Sequence, residues 1–168
     1  MTWLRTRDWP NALDVRISLL GLEPLTFSGL PDTGAGITVL PGQVIDAPER
    51  QTTKGVFRFH RVRLIGPDRK SHVIELQTIG TTSCRKWGDP HNADHEVFLI
   101  DLTIGGRTFA NVDAIFLPLD RDDEEPRVVL GRTFLERAGG CCFDFRGGRM
   151  RLSMCLLPRL LHLTPFHR

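Results

Sequence analysis

At 168 residues the chain is long enough for one domain of ordinary size with a real core. Its 40% apolar and 25% charged residues describe a globular chain and exclude a disordered one. Twenty-two basic side chains face 20 acidic ones, a net charge of +2, so there is no concentrated basic excess for binding nucleic acid.

No apolar run approaches the roughly 20 residues that would span a bilayer. The opening MTWLRTRDWPNALDV lacks the apolar segment of a secretory signal, and the chain reads as cytoplasmic. In that compartment Cys84, Cys141, Cys142 and Cys155 are expected to be reduced. None of them forms a CxxC pair, and they read as small packing residues.

Turn signals recur along the chain, separated by short runs rich in Val, Ile, Leu, Phe and Thr. That spacing predicts an all-β domain. Leu13 to Leu20 sets Leu13, Val15, Ile17 and Leu19 on one face of a strand. A turn of helix is expected near Gln43 to Ala47. Gly55 to Ile65 alternates apolar residues with Arg58, His60 and Arg63, and pairs with Ser71 to Ile79 through the Gly66–Lys70 turn. His60 and His72 are expected to face solvent.

Thr81 to Glu96 is polar and less regular, and Asp120 to Arg127 reads as a solvated acidic connector. Val97 to Ile104 and Thr108 to Leu117 flank Gly105-Gly106, which supplies the positive φ angles of a tight hairpin. One short helix is predicted over Arg132 to Ala138, stopped by Gly139-Gly140. Phe143 to Phe145 and Met150 to Ser153 flank a further turn, Arg146 to Arg149.

The chemistry concentrates in Pro31 to Pro41, PDTGAGITVLP. Asp32 sits on a tight turn after a strand, where Gly34 lets the chain fold back and Ala35 admits a close partner. The hydroxyl of Thr33 can bond across a two-fold axis. Asp-Thr-Gly is also ordinary turn chemistry, so the motif alone is ambiguous. The second half adds Val128 to Leu135, VVLGRTFL, an apolar strand running through Gly131-Arg132 into the helix.

Together, DTGA, the following TVLP and the later VVLGRTFL resemble the retropepsin-like aspartic proteases, over roughly Leu13 to Ser153. The resemblance implies an acid protease barrel with one short helix near its C-terminal end, working as a two-fold homodimer. Asp32 would be the catalytic acid, with Thr33, Gly34 and Ala35 supporting the active-site loop. It also implies a hairpin flap, placed within Ile79 to Glu96 with Trp87 and Gly88 near its tip. The family usually has an aliphatic residue before the acid; here it is Pro31, which lacks a backbone donor and should end the strand.

On this reading residues 13–153 form the protease domain, 1–12 an N-terminal extension able to supply a dimer strand, and 154–168 a tail. The chain holds no second DTG or DSG, so two copies must each supply one Asp32. The expected partners are a second copy and a peptide or protein substrate, with no nucleic acid and no membrane. No cofactor or metal is called for. Cys84, His91, Asp94 and His95 lie close in sequence, but HxxxH puts both imidazoles on one face only in a helix, and Asp89-Pro90 and Asn92 favour a loop. The alternative is a catalytically weak module that keeps the fold and binds peptide or dimerises.

Overall fold

The computed structural model describes residues 3–5, 13–46, 49–52, 55–85, 91–121, 123–139, 141–144 and 149–152. Among these the chain is all-β, with twelve strands and a single short helix. No helix among the described residues is long and apolar enough to cross a membrane.

Strands β2 (Leu13–Leu19) and β3 (Leu22–Pro31) form the first hairpin, and β4 (Thr38–Asp46) follows the Asp32 loop. Next come β5 (Glu49–Thr52), β6 (Gly55–Ile65), β7 (Ser71–Cys84), β8 (Ala93–Ile104) and β9 (Arg107–Leu117). Strand β10 (Arg127–Leu130) leads into helix α1 (Arg132–Arg137). These nine strands make one sheet in the order β2-β3-β10-β4-β9-β8-β7-β6-β5. Further pairings of β2 with β8 and of β4 with β6 fold it back on itself.

Period-two patterning explains the core. Along β2, Leu13, Val15, Ile17 and Leu19 are buried while Asp14, Arg16 and Ser18 are exposed, as the alternation predicts. They meet Phe27, Leu40, Phe98, Ile100, Leu102 and Leu130 in one continuous cluster. The β8–β9 hairpin turns on Gly105 and Gly106, at φ 58 and 79, the left-handed values expected there. Helix α1 buries Phe134 and Leu135, with Phe134 edge-on to Phe109 at 5.1 Å between ring centroids. Gly139, at φ 90, ends it as anticipated.

Two local expectations are corrected. Residues 43–46 are not helical: β4 runs through them because Gly42 to Asp46 pair with β6. Gly42 permits that approach, since a Cβ there would lie 2.3 Å from the Arg63 carbonyl oxygen. His60 does not face solvent; it is 3% exposed and shares the inward face of β6 with Val62 and Leu64. His72 is half-buried.

A smaller antiparallel sheet joins β1 (Trp3–Arg5), β12 (Arg149–Leu152) and β11 (Cys141–Asp144), in that order. The N-terminal segment thus pairs within its own chain, Trp3 opposite Arg151. The hairpin turn near Arg146 to Gly148, the tail beyond Leu152, and the packing expected of the Cys141, Cys142 and Cys155 side chains lie outside the described residues.

Candidate active site

The site is built where β3 gives way to β4. Strand β10 inserts between these two, parallel to β3 with Leu130 opposite Pro31, and antiparallel to β4 with Val129 opposite Val39. The loop carrying Asp32 therefore bridges over the end of a strand supplied from much later in the chain, the longest-range pairing within this nine-stranded sheet. Pro31 does end β3, as its missing N–H requires, yet stays buried within the pairing.

Both limbs of the loop are tied to the β10–α1 segment. The Asp32 amide donates to the Leu130 carbonyl at 3.0 Å. On the other limb, the Arg132 amide donates to the Ala35 carbonyl at 2.8 Å, and the Thr133 amide to Gly36 at 3.2 Å. Gly131 makes that approach possible: a Cβ there would lie 2.2 Å from the Ile37 carbonyl oxygen. Thus DTGA and VLGR, remote in sequence, form one hydrogen-bonded unit.

Within the loop, the Gly34 amide donates to Oδ1 of Asp32 at 2.8 Å, which aims the carboxylate. Asp32, Thr33 and Gly34 are exposed in the single chain, and Ala35 is half-buried. Thr38, at the root of the loop, is fully buried, and its hydroxyl has no hydrogen-bond partner among the described residues.

Asp32 opens on a cleft of about 1560 Å³, floored by Leu30, Val39, Ile115 and Val129. Its lining also carries charge: Arg85, and Asp120, Arg121, Asp123, Glu124, Glu125 and Arg127. The acidic connector of the sequence is thus also a cleft wall. It is pinned from outside by Arg69, whose Nη2 donates to the Asp123 carbonyl at 2.7 Å. Arg127 pairs with Glu125 at 2.8 Å and Arg121 with Asp123 at 3.7 Å, so part of the acidic charge is neutralised locally.

The polar segment Thr81 to Glu96 is more regular than its composition suggests. Strand β7 extends to Cys84 and β8 begins at Ala93, an antiparallel pair with Cys84 opposite Ala93. Cys84 and Arg85 line the same cleft as Asp32, and Ile79 to Cys84 face Gly36 and Ile37 across a second cavity of about 460 Å³. Burial pushes the Cys84 thiol up from its ordinary value. Trp87 and Gly88 lie outside the described residues. Among the described residues no group of three or more His, Cys, Asp or Glu side chains could hold a metal.

Chemically, the loop offers one exposed, oriented carboxylate beside a peptide-sized groove. One carboxylate can accept a proton from water, but it cannot hold a proton for donation at the same moment.

No family model matches the sequence, and no curated protein matches it. The structure is similar to Lpg0085 (DUF785), a protein of unknown function from Legionella pneumophila subsp. pneumophila str. Philadelphia 1, with a TM-score of 0.53 and 19% identity, over 79% of this chain and 92% of that one. A likeness at that identity speaks for the fold alone.

Proposed function

We propose that this chain is an aspartic endopeptidase with a retropepsin-like barrel, active as a homodimer that brings two Asp32 carboxyls together. The observation that carries the reading is the tie between Asp32 and Leu130 and between Ala35 and Arg132, which joins the two diagnostic segments around one exposed carboxylate. The cleft beside it and the hairpin facing it supply room and a wall for an extended peptide.

In the dimer the two carboxyls share one proton, because like charges a few Å apart do not both ionise readily. The ionised one takes a proton from water as it attacks the peptide carbonyl. The protonated one donates to the carbonyl oxygen. The tetrahedral intermediate then collapses with proton transfer to the leaving amine, and no covalent enzyme intermediate forms. Thr33 stiffens the pair across the axis, while Gly34 and Ala35 wall the loop.

The test is hydrolysis of an unfolded protein substrate at mildly acidic pH by wild type and Asp32→Asn. General acid–base catalysis contributes on the order of 10²–10⁴-fold, so the variant should lose at least that much while keeping its fold and dimer. If wild type is as inert as the variant across a broad peptide library, the catalytically weak dimerisation or peptide-binding module replaces this reading.

A further inference from the structure

Strand β7 changes surroundings at Thr78. As far as Gln77 it is flanked by β6. From Gly80 to Cys84 its partner among the described residues is β8 alone. Likewise β8 pairs with β9 from Phe98 onward and with β2 from Asp101, whereas residues 93–97 pair, among the described residues, with β7 alone. The hairpin that faces the Asp32 loop is therefore a two-stranded ribbon, and such a ribbon has little stability or fixed direction of its own. Its position has to be set at its root.

The root carries a distinctive polar arrangement. The β7–β8 register shifts between Thr78 and Gly80, and Gly80 adopts φ 153. Thr78 Oγ1 lies 2.8 Å from Oε2 of Glu96, 3.1 Å from the Val97 carbonyl and 3.0 Å from the Gly80 carbonyl. It also accepts from the Gly80 amide at 3.3 Å. One side chain thus holds the bulge and bridges both strands of the ribbon. A hydroxyl has one proton, and the shortest contact directs it to the Glu96 carboxylate.

Behind Glu96 stands His60, with Nε2 at 3.8 Å from the same Oε2. Its ring is edge-on to Phe98, centroids 5.8 Å apart, and Phe98 in turn packs on Phe116. Neither ring nitrogen has a hydrogen-bond partner among the described residues, and His60 is 3% exposed. A buried polar ring without a hydrogen bond costs stability, and here it lies beside the Glu96 carboxylate.

We propose that Thr78 and Glu96, braced by His60, are positioning residues that hold the hairpin over the Asp32 cleft. They touch no reacting atom. They fix where Ile79 to Cys84 stand relative to Gly36 and Ile37, and so how firmly a peptide in the cleft is gripped. The kinetic part of the test rests on the peptidase reading above; the structural part does not.

The experiment compares Thr78→Val, Thr78→Ser and Glu96→Gln with the wild-type full chain. Valine keeps the shape and removes the hydroxyl; glutamine keeps an acceptor for Thr78 and removes the charge facing His60. Backbone amide exchange is measured at residues 80–84 and 93–97, with β2, β3 and β10 as internal references. Loss of a hydroxyl-to-carboxylate bond should speed exchange in the hairpin about tenfold in Thr78→Val, leave the reference strands unchanged, and be restored by serine. Glu96→Gln should loosen the same residues and no others. With a cleavable peptide, KM should rise in Thr78→Val and Glu96→Gln while kcat stays near wild type. Unchanged hairpin exchange in either variant, or loosening spread equally over β2, β3 and β10, overturns the proposal. A wild type that cleaves nothing removes the peptidase reading, and the exchange data still decide the role of Thr78 and Glu96.

Discussion

The amide of Asp32 and the carbonyl of Leu130 are joined across 3.0 Å at the point where β3 ends. This bond means that the acid cannot be placed until β10 has entered the gap between β3 and β4. The loop is short and glycine-rich, and on its own would sample many conformations. Its geometry comes from the strand beneath it and from the start of α1, through the bonds to Ala35 and Gly36. The placing of one exposed carboxylate therefore depends on residues from the far end of the chain.

Gly131 is the most sensitive of these. A methyl there would meet the Ile37 carbonyl oxygen at 2.2 Å and its Cα at 2.8 Å, both backbone atoms that cannot rotate away. Gly131→Ala should destabilise the fold by about 2–3 kcal/mol, as overpacking does elsewhere. Gly36→Ala is the control, because nothing lies within 4 Å of its Cβ position. Urea unfolding midpoints should separate the two variants, with Gly36→Ala close to wild type.

Gly34→Ala probes aim rather than stability. Its Cβ would stand 3.1 Å from Oδ1 of Asp32, tight enough to push the carboxylate by a few tenths of an ångström. The position is exposed, so the unfolding midpoint should stay within about 0.5 kcal/mol of wild type. If Asp32 is catalytic, kcat should nonetheless fall about tenfold, since misplaced reacting groups lose much of their advantage. Equal kcat in both proteins would count against a role for this carboxylate.

Much of the β architecture could be read in advance because its signals are local. The alternation in β2 and the Gly105-Gly106 turn act over a few residues, and each forms as its chemistry dictates. Residues 43–46 misled because their strand identity comes from pairing with β6, which no local pattern records. His60 misled by phase: grouped with Arg58 and Arg63 it looks polar-facing, but it lies two and four residues from Val62 and Leu64, which set the buried face. In the candidate site, Asp32 and its loop were legible as a motif. Arg69, Arg85, Thr78 and Glu96 were not, because a wall or a hinge is made by residues that meet only in the folded chain. The ribbon of β7 and β8 was hidden for another reason: over Thr81 to Cys84 and Ala93 to Glu96 no residue is fully buried, so the stretch needs no strong apolar alternation.

Acid should erase one cross-strand contribution in a predictable way. Arg61 on β6 donates to both carboxylate oxygens of Asp46 on β4, with Nε at 3.0 and 2.8 Å and Nη2 also on Oδ2. The side-chain hydrogen bond from Arg61 holds the Asp46 carboxyl below the usual carboxylate range. A lowered folded-state pKa adds stability above the unfolded value, about 3.9, and that stability disappears as pH falls through the lowered one. Asp46→Asn should therefore be slightly less stable than wild type at pH 6, with the gap closing in strong acid. The pair is exposed, so the gap should be small and should shrink in high salt. Denaturation midpoints measured across this pH range check the sign; a gap that widens in acid would refute the assignment.

Subunit mixing gives the sharpest test of whether two Asp32 carboxyls are needed. In a homodimer that exchanges freely, equal amounts of wild type and Asp32→Asn leave about a quarter of the dimers with both acids. The same quantity of wild type alone would hold twice as many competent dimers, so activity should fall to about half on mixing. A nine-fold excess of the variant should reduce it to about a tenth. Asp32 is exposed in the single chain, and asparagine keeps its shape and its Oδ1 acceptor for the Gly34 amide, so the substitution should leave the fold intact. An enzyme that works as a single chain would show no loss at either ratio. Sedimentation of the mixtures, run beside the peptide assay, separates a failure to exchange subunits from a failure of the dimer mechanism.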